Sequence, residues 1–442
     1  MSIDIRRFSS LDPEFEAKIL ELQAPIEALD PALVGTVRDI IDQVKRGGDP
    51  ALLALTQKYD LHPAETMSDL AFNRDQLKAF ESRVTQQELT ALKTAAIRIQ
   101  RYHEQQSAGD WSMTDDYGNC LGQRIRPMRR VGLYVPGGKA SYPSSVLMNA
   151  IPAKVAGVSD VVMVAPSQKG EINPLVLAAA SLAGVDSVVT VGGAQAIAAL
   201  AHGTQTIAPV DKIVGPGNRY VAEAKRQVFG KVGIDMIAGP SEIFIIADGS
   251  VDPDWIALDL MSQAEHDEIA QAVCIATSDE CLDAVLRSLS ALLPDMPRRD
   301  IIEASFRNRG ALISVGDLQE AAALSNRFAP EHLELAVASP RSLLEHIKSA
   351  GAIFLGAYSS ESLGDYCAGT NHVLPTSGAA RFSSPLGVYD FQTRSSIIEI
   401  SQEGAHALAN VAGTIADGES LTAHALAAVS YTHLTLPTIV DV

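Results

Sequence analysis

Apolar positions recur every three to four residues through the first third of the chain, then give way near Arg130 to short β-branched runs set between alanine-rich stretches. Before the change, Asp30-Pro31 offers a capping acceptor with proline in the first turn. Leu33, Val37, Ile40, Ile41 and Val44 then share one helical face until Gly47-Gly48 stops it. Leu89, Leu92, Ala96 and Ile99 repeat the spacing toward Tyr102, so residues 1 to about 128 read as mainly helical. Beyond Arg130, strands are expected near 131–136, 160–165, 187–191 and 212–214, with helices near 144–156, 173–183, 194–201 and 218–229. Strand and helix alternating in this way predict an α/β fold with a parallel sheet and right-handed crossovers.

The alternation continues from 234 to 380. Ile243-Phe244-Ile245-Ile246-Ala247 reads as a buried strand, and Asp252-Pro253 opens the helix that carries Asp259, Gln263 and His266. Spacings of three and four would put these three on one helical face, which suits either a metal site or simply the wet side of a helix. A strand at Ala311-Leu312-Ile313-Ser314-Val315 precedes Asp317-Leu318-Gln319-Glu320, an acidic variant of a capping box. Its helix leads to Pro330-Glu331-His332 at a helix-to-strand turn. Glutamate beside histidine can divide proton work, one activating water and the other titrating near neutrality. The same residues equally describe a proline that ends a helix, a solvated glutamate and a half-buried histidine. Another strand, Ala352-Ile353-Phe354-Leu355-Gly356, feeds the loop from Gly364 to Pro375. Glycine-rich turns at Pro136-Gly137-Gly138, Gly192-Gly193 and Gly215-Pro216-Gly217-Asn218 would let backbone amides approach a phosphate, although no G-x-G-x-x-G follows a strand.

Composition narrows the choices. With 442 residues and 47% hydrophobic content the chain can bury a large core in two or more domains. A net charge of −18 argues against nucleic acid or an anionic membrane as the main partner, which leaves a small ligand. Cys120, Cys274, Cys281 and Cys367 form no CxxC pair and suit a reducing compartment. The N-terminus lacks the apolar core of a signal peptide, and no run of eighteen apolar residues occurs, so a soluble cytoplasmic protein is expected.

Eight segments in one order resemble the histidinol dehydrogenase family: LYVPGG at 133–138, VGGAQAIAAL at 191–200, VGPGNRYV at 214–221, GPSEIFIIAD at 239–248, DLMSQAEHD at 259–267, FAPEHLEL at 328–335, GDYCAGTNHVLPTSG at 364–378 and GESLTAHALA at 418–427. The resemblance implies two α/β domains of incomplete dinucleotide-binding (Rossmann-like) type with terminal segments that embrace a second subunit. Its boundaries would be a helical segment 1–28, a zinc and catalytic domain from 29–130 with 240–382, an NAD domain 131–239 and a dimerisation tail 383–442. It implies oxidation of L-histidinol through the aldehyde to L-histidine, the last steps of histidine biosynthesis, with NAD and one zinc ion. Zinc ligands would be Gln263, His266, Asp365 and His424. Substrate would meet Ser241, Glu331, His332, Asp365 and Glu419 as well as those ligands, NAD would meet Tyr134, Gln195 and Asn218, and catalysis would fall to Glu331 and His332. Glu419 and His424 would complete the partner's site in a homodimer. Cys367 is given a packing role. Tyr431 to Val442 departs from the family, being β-branched and proline-broken where a basic apolar helix would continue, and reads as a replaced terminus or a sequence error. The residues without the resemblance also suit a relative acting on another small alcohol, a zinc hydrolase, or a metal or nucleotide binding protein.

Overall fold

The structure is a computed structural model in which residues 3–24, 30–137 and 141–431 are described. The expected tail from 432 on and Gly138 of the first glycine turn lie outside those residues. Among the described residues no helix is long and apolar enough to cross a membrane. The larger of two units comprises Met1–Gln106 and Met128–Phe391 and is built on two six-stranded sheets.

Across the first sheet lie Arg6–Ser9, Ala311–Ser314, Gln271–Ala276, Glu242–Ala247, His332–Ala336 and Ala352–Leu355, every neighbouring pair parallel. Glu242–Ala247 and Gln271–Ala276 are buried throughout. Leu260, Leu282 and Phe306 belong to the apolar cluster on one face, and Phe8, Ile19, Leu324 and Phe328 to that on the other. A sheet covered on both faces needs apolar runs rather than alternation, which is what Ile243 to Ala247 supplies. The second sheet runs Ala71–Asn73, Ser187–Val189, Asp160–Val164, Arg130–Tyr134, Lys212–Val214 and Gly233–Ile234, parallel except at Ala71–Asn73. Its four central strands and its helices Pro143–Val155, Pro174–Leu182, Gly193–His202 and Arg219–Val228 fall within two residues of the expected positions, while the edge strands Ala71–Asn73 and Gly233–Ile234 were not expected.

The division of the chain differs from the expected one. Residues before 29 hold the helix Phe15–Gln23, but also contribute the edge strand Arg6–Ser9. The helices Pro31–Tyr59, Arg74–Phe80 and Gln86–Glu104 pack not with the sheet of 240–382 but on helices of the second sheet. Their apolar stripes decide this: Val37, Ile41 and Val44 join a cluster with Val162, Val164 and Ile197, while Leu92 and Ile99 join Val131, Leu133 and Met148. Gly48 does break the helix of Pro31–Tyr59, at φ 57 and ψ −137, yet the chain turns straight into a second helical run with Pro50 near its start.

The smaller unit consists of Ser107–Pro127 and the chain from Gln392 onward. Gln392–Glu399, Cys120–Pro127 and Trp111–Thr114 form an antiparallel sheet, so the stretch before residue 128 is not wholly helical and the tail begins at Gln392 rather than at 383. The helices Gln402–Gly418 and Thr422–Ser430 pack on each other. Trp111, Met113, Ile398, Val411, Ile415 and Leu426 are exposed on this unit.

Candidate active site

Local sequence chemistry sets the turn before Glu331. Asp317 caps the helix Leu318–Phe328 by accepting the Glu320 N–H at 2.8 Å, while the Glu320 carboxylate accepts from Gly316 rather than from Asp317, so the expected box is displaced by one residue. The helix ends at Ala329 in the left-handed conformation (φ 47, ψ 60), which costs an L-residue about 1–2 kcal/mol. Pro330 follows and carries the chain away from helix. His332 then opens its strand, opposite Ile243 on one side and Ala352 on the other. Glu331 is 6% exposed and His332 3%, which removes the solvated and half-buried alternatives.

The backbone of one residue holds the pair. The Glu242 N–H donates to Glu331 Oε2 at 2.9 Å, and the Glu242 carbonyl lies 2.9 Å from His332 Nδ1. Since a carbonyl only accepts, Nδ1 carries a proton and Nε2 is the atom left for chemistry. His332 Nε2 is buried, has no hydrogen-bond partner among the described residues, and stands 3.4 Å from Asp365 Oδ1. Glu361 Oε1, likewise buried and without a partner, stands 3.4 Å from Nδ1, and Glu331 Oε2 stands 3.7 Å from it. The other Glu361 oxygen accepts from the Ser262 hydroxyl at 3.2 Å.

Burial sets the electrostatics. It pushes the carboxyl of Glu331 up to about 8, that of Glu361 to about 8 and that of Glu242 to about 7. For His332 burial opposes charge, but the carboxylates of Glu361, Glu331 and Asp365 outweigh it and hold the imidazole well above its ordinary value. Asp365 is also pushed up by burial, and the His332 imidazole 3.4 Å away more than reverses this, leaving it below the ordinary carboxylate value. His332, Glu361 and Asp365 offer ligand atoms all within 4.8 Å of one another. Acceptors outnumber donors in this cluster, a surplus that a cation would satisfy.

Gln263 lies in the last turn of the helix Pro253–Ala264, buried, with its Oε1 unpartnered among the described residues. His266 falls beyond the helix at the solvent-facing rim, because its N–H bonds back to Gln263 O at 3.2 Å and tightens the end of the helix. That i-to-i+3 bond keeps positions 263 and 266 on one side of the turn, and the His266 imidazole feels the Asp365 charge. Asp259 does not join them: its side chain hydrogen-bonds to Glu334. Burial pushes Asp259 up to about 6, and burial together with the Asp259 charge pushes Glu334 well above its ordinary value, so this pair holds a proton between them. Ser241 sits just before the strand Glu242–Ala247, its carbonyl accepting from the Gln271 N–H at 2.9 Å. Cys367 is partly buried against the apolar cluster of the second sheet, in keeping with packing.

Sequence reasoning missed Glu242, Glu334, Glu361 and His372. Two of them carried a signal, since Glu242 heads an apolar strand and Glu334 sits between Leu333 and Leu335. A carboxylate inside a strand buried on both faces asks for a partner. Glu361 opens the short helix Glu361–Leu363 and His372 lies in the loop after it, and neither carried one. His372, with its Nε2 buried and unpartnered among the described residues, hydrogen-bonds through the ring to the backbone of Ser144.

Ser144 belongs to the helix that follows the strand of Tyr134. Tyr134 closes that strand, Gln195 lies in the first turn of Gly193–His202, and Asn218 caps Arg219–Val228 by accepting from the N–H groups of Tyr220 and Val221. All three stand at the carboxyl edge of the second sheet, where ligands of open parallel sheets bind. Tyr134 and Gln195 are buried, and the Tyr134 hydroxyl accepts from the Gly193 N–H at 3.1 Å. The His332 cluster, by contrast, lies at the amino edge of the first sheet. Glu419 and His424 belong to the smaller unit and are exposed on it.

The family model for histidinol dehydrogenase matches residues 27–431. The chain is 58% identical over 422 residues to histidinol dehydrogenase of Chromobacterium violaceum, covering 96% of this chain and 97% of that one. It is 58% identical over 428 residues to the Pseudomonas putida protein of the same name, covering 97% of each. A crystal structure of histidinol dehydrogenase from Elizabethkingia anophelis matches with a TM-score of 0.92 at 32% identity and covers 98% of both chains. A profile match over nine-tenths of the sequence, agreement at more than half of all positions and a common fold from end to end show that the chain belongs to the histidinol dehydrogenase family.

Proposed function

We propose that this oxidoreductase converts L-histidinol through the aldehyde to L-histidine, with NAD as oxidant and a zinc ion held by Gln263, His266, Asp365 and His424 of a second copy. The observation that carries the reading is the pair of buried acceptors beside Asp365, His332 Nε2 and Glu361 Oε1, together with Gln263 Oε1, buried and unpartnered among the described residues. The donor set of Gln263, His266, Asp365 and the second copy's His424 fits zinc, since two imidazoles, a carboxylate and an amide oxygen leave the ion electron-poor and able to accept the substrate's imidazole. Bound there, zinc would hold and orient the substrate. NAD, bound along Tyr134, Gln195 and Asn218, would take up one hydride in each oxidation.

The residues of the chain supply the proton chemistry. In the first step the substrate hydroxyl gives its proton to His332 Nε2 as the carbinol hydrogen leaves as hydride, which yields the aldehyde. In the second, Glu331 removes a proton from a water molecule as its oxygen bonds to the aldehyde carbon. Once its first proton has passed to solvent, His332 takes the hydroxyl proton of the resulting hydrate anion as a second hydride departs, leaving the carboxylate. Ser241 and Glu419 would contact the substrate. The exposed apolar side chains of the smaller unit support a second copy as its cover, in a homodimer where Glu419 and His424 serve the partner's site. Four free cysteines and the acidic charge support a cytoplasmic setting.

The direct test follows absorbance of reduced NAD when L-histidinol and NAD are added, with and without chelator; no signal from zinc-replete protein would refute the assignment. Chelation is expected to abolish turnover and added zinc to restore it, because carboxylate and imidazole ligands release the ion reversibly. His266→Asn should lower zinc content and turnover at least about tenfold. Full activity in protein shown by elemental analysis to be metal-free would remove the zinc assignment.

A pH dependence follows from the raised pKa values. Glu331 must be ionised to deprotonate water, and His332 must be neutral to accept a proton. Both groups hold their protons above the ordinary range, Glu331 up to about 8, so acid keeps both in the inactive form. kcat/KM should therefore climb between about pH 6 and about pH 9. A flat or falling profile over that interval would contradict the assigned roles.

A further inference from the structure

Among the largest fully buried side chains of the described residues is a lysine, Lys225. It lies on the helix Arg219–Val228, whose Val221, Ala224 and Val228 enter the apolar core of the second sheet. Spacing from Val221 makes position 225 a core position where an aliphatic residue would be expected. Lys225 is instead paired with Asp235, the two side chains 2% and 1% exposed. Replacing such a pair by apolar residues is commonly neutral or stabilising, so bulk stability does not explain it.

The partners of the pair do. Lys225 Nζ donates to the Gly215 carbonyl at 3.0 Å and to Asp235 Oδ1, while Asp235 Oδ2 accepts the Gly215 N–H at 2.7 Å. Asp235 Oδ1 also accepts from the Met236 N–H at 2.6 Å. Both backbone groups of Gly215 are thus held by one buried ion pair. Gly215 has φ +113, and a Cβ there would fall 2.1 Å from the Tyr134 carbonyl oxygen, so it lies directly against the backbone of Tyr134. The turn that starts at Gly215 ends at Asn218, itself fixed by its capping bonds to Tyr220 and Val221. Tyr134 and Asn218 are two of the three residues assigned to NAD.

We propose that Lys225 and Asp235 are positioning residues for the dinucleotide: their buried pair sets the Gly215–Asn218 turn against Tyr134 before NAD arrives. The proposal rests on the NAD reading given above. A turn already in its bound shape spares the ligand the ordering cost, so the pair acts on NAD affinity and not on proton transfer.

The test is the double variant Lys225→Met with Asp235→Leu, which removes both charges and leaves no buried ion unpaired. It should fold, bind NAD at least about tenfold more weakly by direct titration, raise KM for NAD by the same factor, and keep kcat at saturating NAD and KM for L-histidinol within about twofold. A folded double variant with wild-type NAD affinity overturns the proposal. Wild-type protein that binds no NAD at all removes the underlying reading and the proposal with it, a result distinguishable from the first. Should the double variant not fold, hydrogen exchange on the wild type without NAD decides: a Gly215 amide as slow as the neighbouring strand supports a pre-set turn, and a fast one that slows only on adding NAD overturns it.

Discussion

His332→Asn is expected to slow both oxidations by about 10²–10⁴-fold, whereas Glu331→Gln should inflict a loss of that size on aldehyde oxidation and leave the first hydride transfer within about tenfold of wild type. The asymmetry follows from position. His332 Nε2 is the one ring nitrogen not committed to the Glu242 carbonyl, and in the proposed mechanism it would receive the proton that each oxidation releases. Glu331 is needed only where water adds. Its Oε2 is held by the Glu242 N–H, and the amide of glutamine preserves an oxygen acceptor for that bond, so the substitution removes the base without dismantling the turn. Single-turnover formation of reduced NAD, started separately from the alcohol and from the aldehyde, resolves the two steps. Equal losses for Glu331→Gln in both would show that the glutamate serves the site as a whole.

From two inactive parents, about a quarter of wild-type activity should return when His332→Ala and His424→Ala subunits are mixed into dimers. If Glu419 and His424 complete the partner's site, a mixed dimer contains one doubly damaged site and one wholly intact site. Random exchange makes about half of all dimers mixed, each with one good site of two, by the symmetry of a two-fold pair. Sites built within one chain would each keep a lesion, and mixing would recover nothing. Subunits carrying different tags, exchanged by refolding or co-expression, allow the mixed species to be isolated and counted. Isolated mixed dimers without activity would reject a shared site and leave the family assignment untouched.

Local pattern was enough for much of this molecule. The strands and helices expected between Arg130 and Val228 are short apolar runs and alanine-rich stretches with turn residues at their ends, and such signals involve only neighbours in the chain. The turn that delivers Glu331 and His332 is equally local, set by the Asp317 cap, the end of the helix at Phe328 and Pro330. What the tertiary structure alone decided is which distant groups meet. Val37, Ile41 and Leu92 define helices from sequence, but not that the second sheet rather than the first would bury them. Gln263 and His266 are spaced for one face, which the tightened turn past Ala264 keeps, whereas only the folded chain turns Asp259 to Glu334. The register of Ile243 opposite His332 brings the Glu242 backbone to Glu331 and His332, and the segment beyond Leu355 brings Glu361 and Asp365. The raised pKa of Glu331 follows from that convergence, because burial and neighbouring charge belong to the place a side chain occupies in the fold and not to its place in the chain.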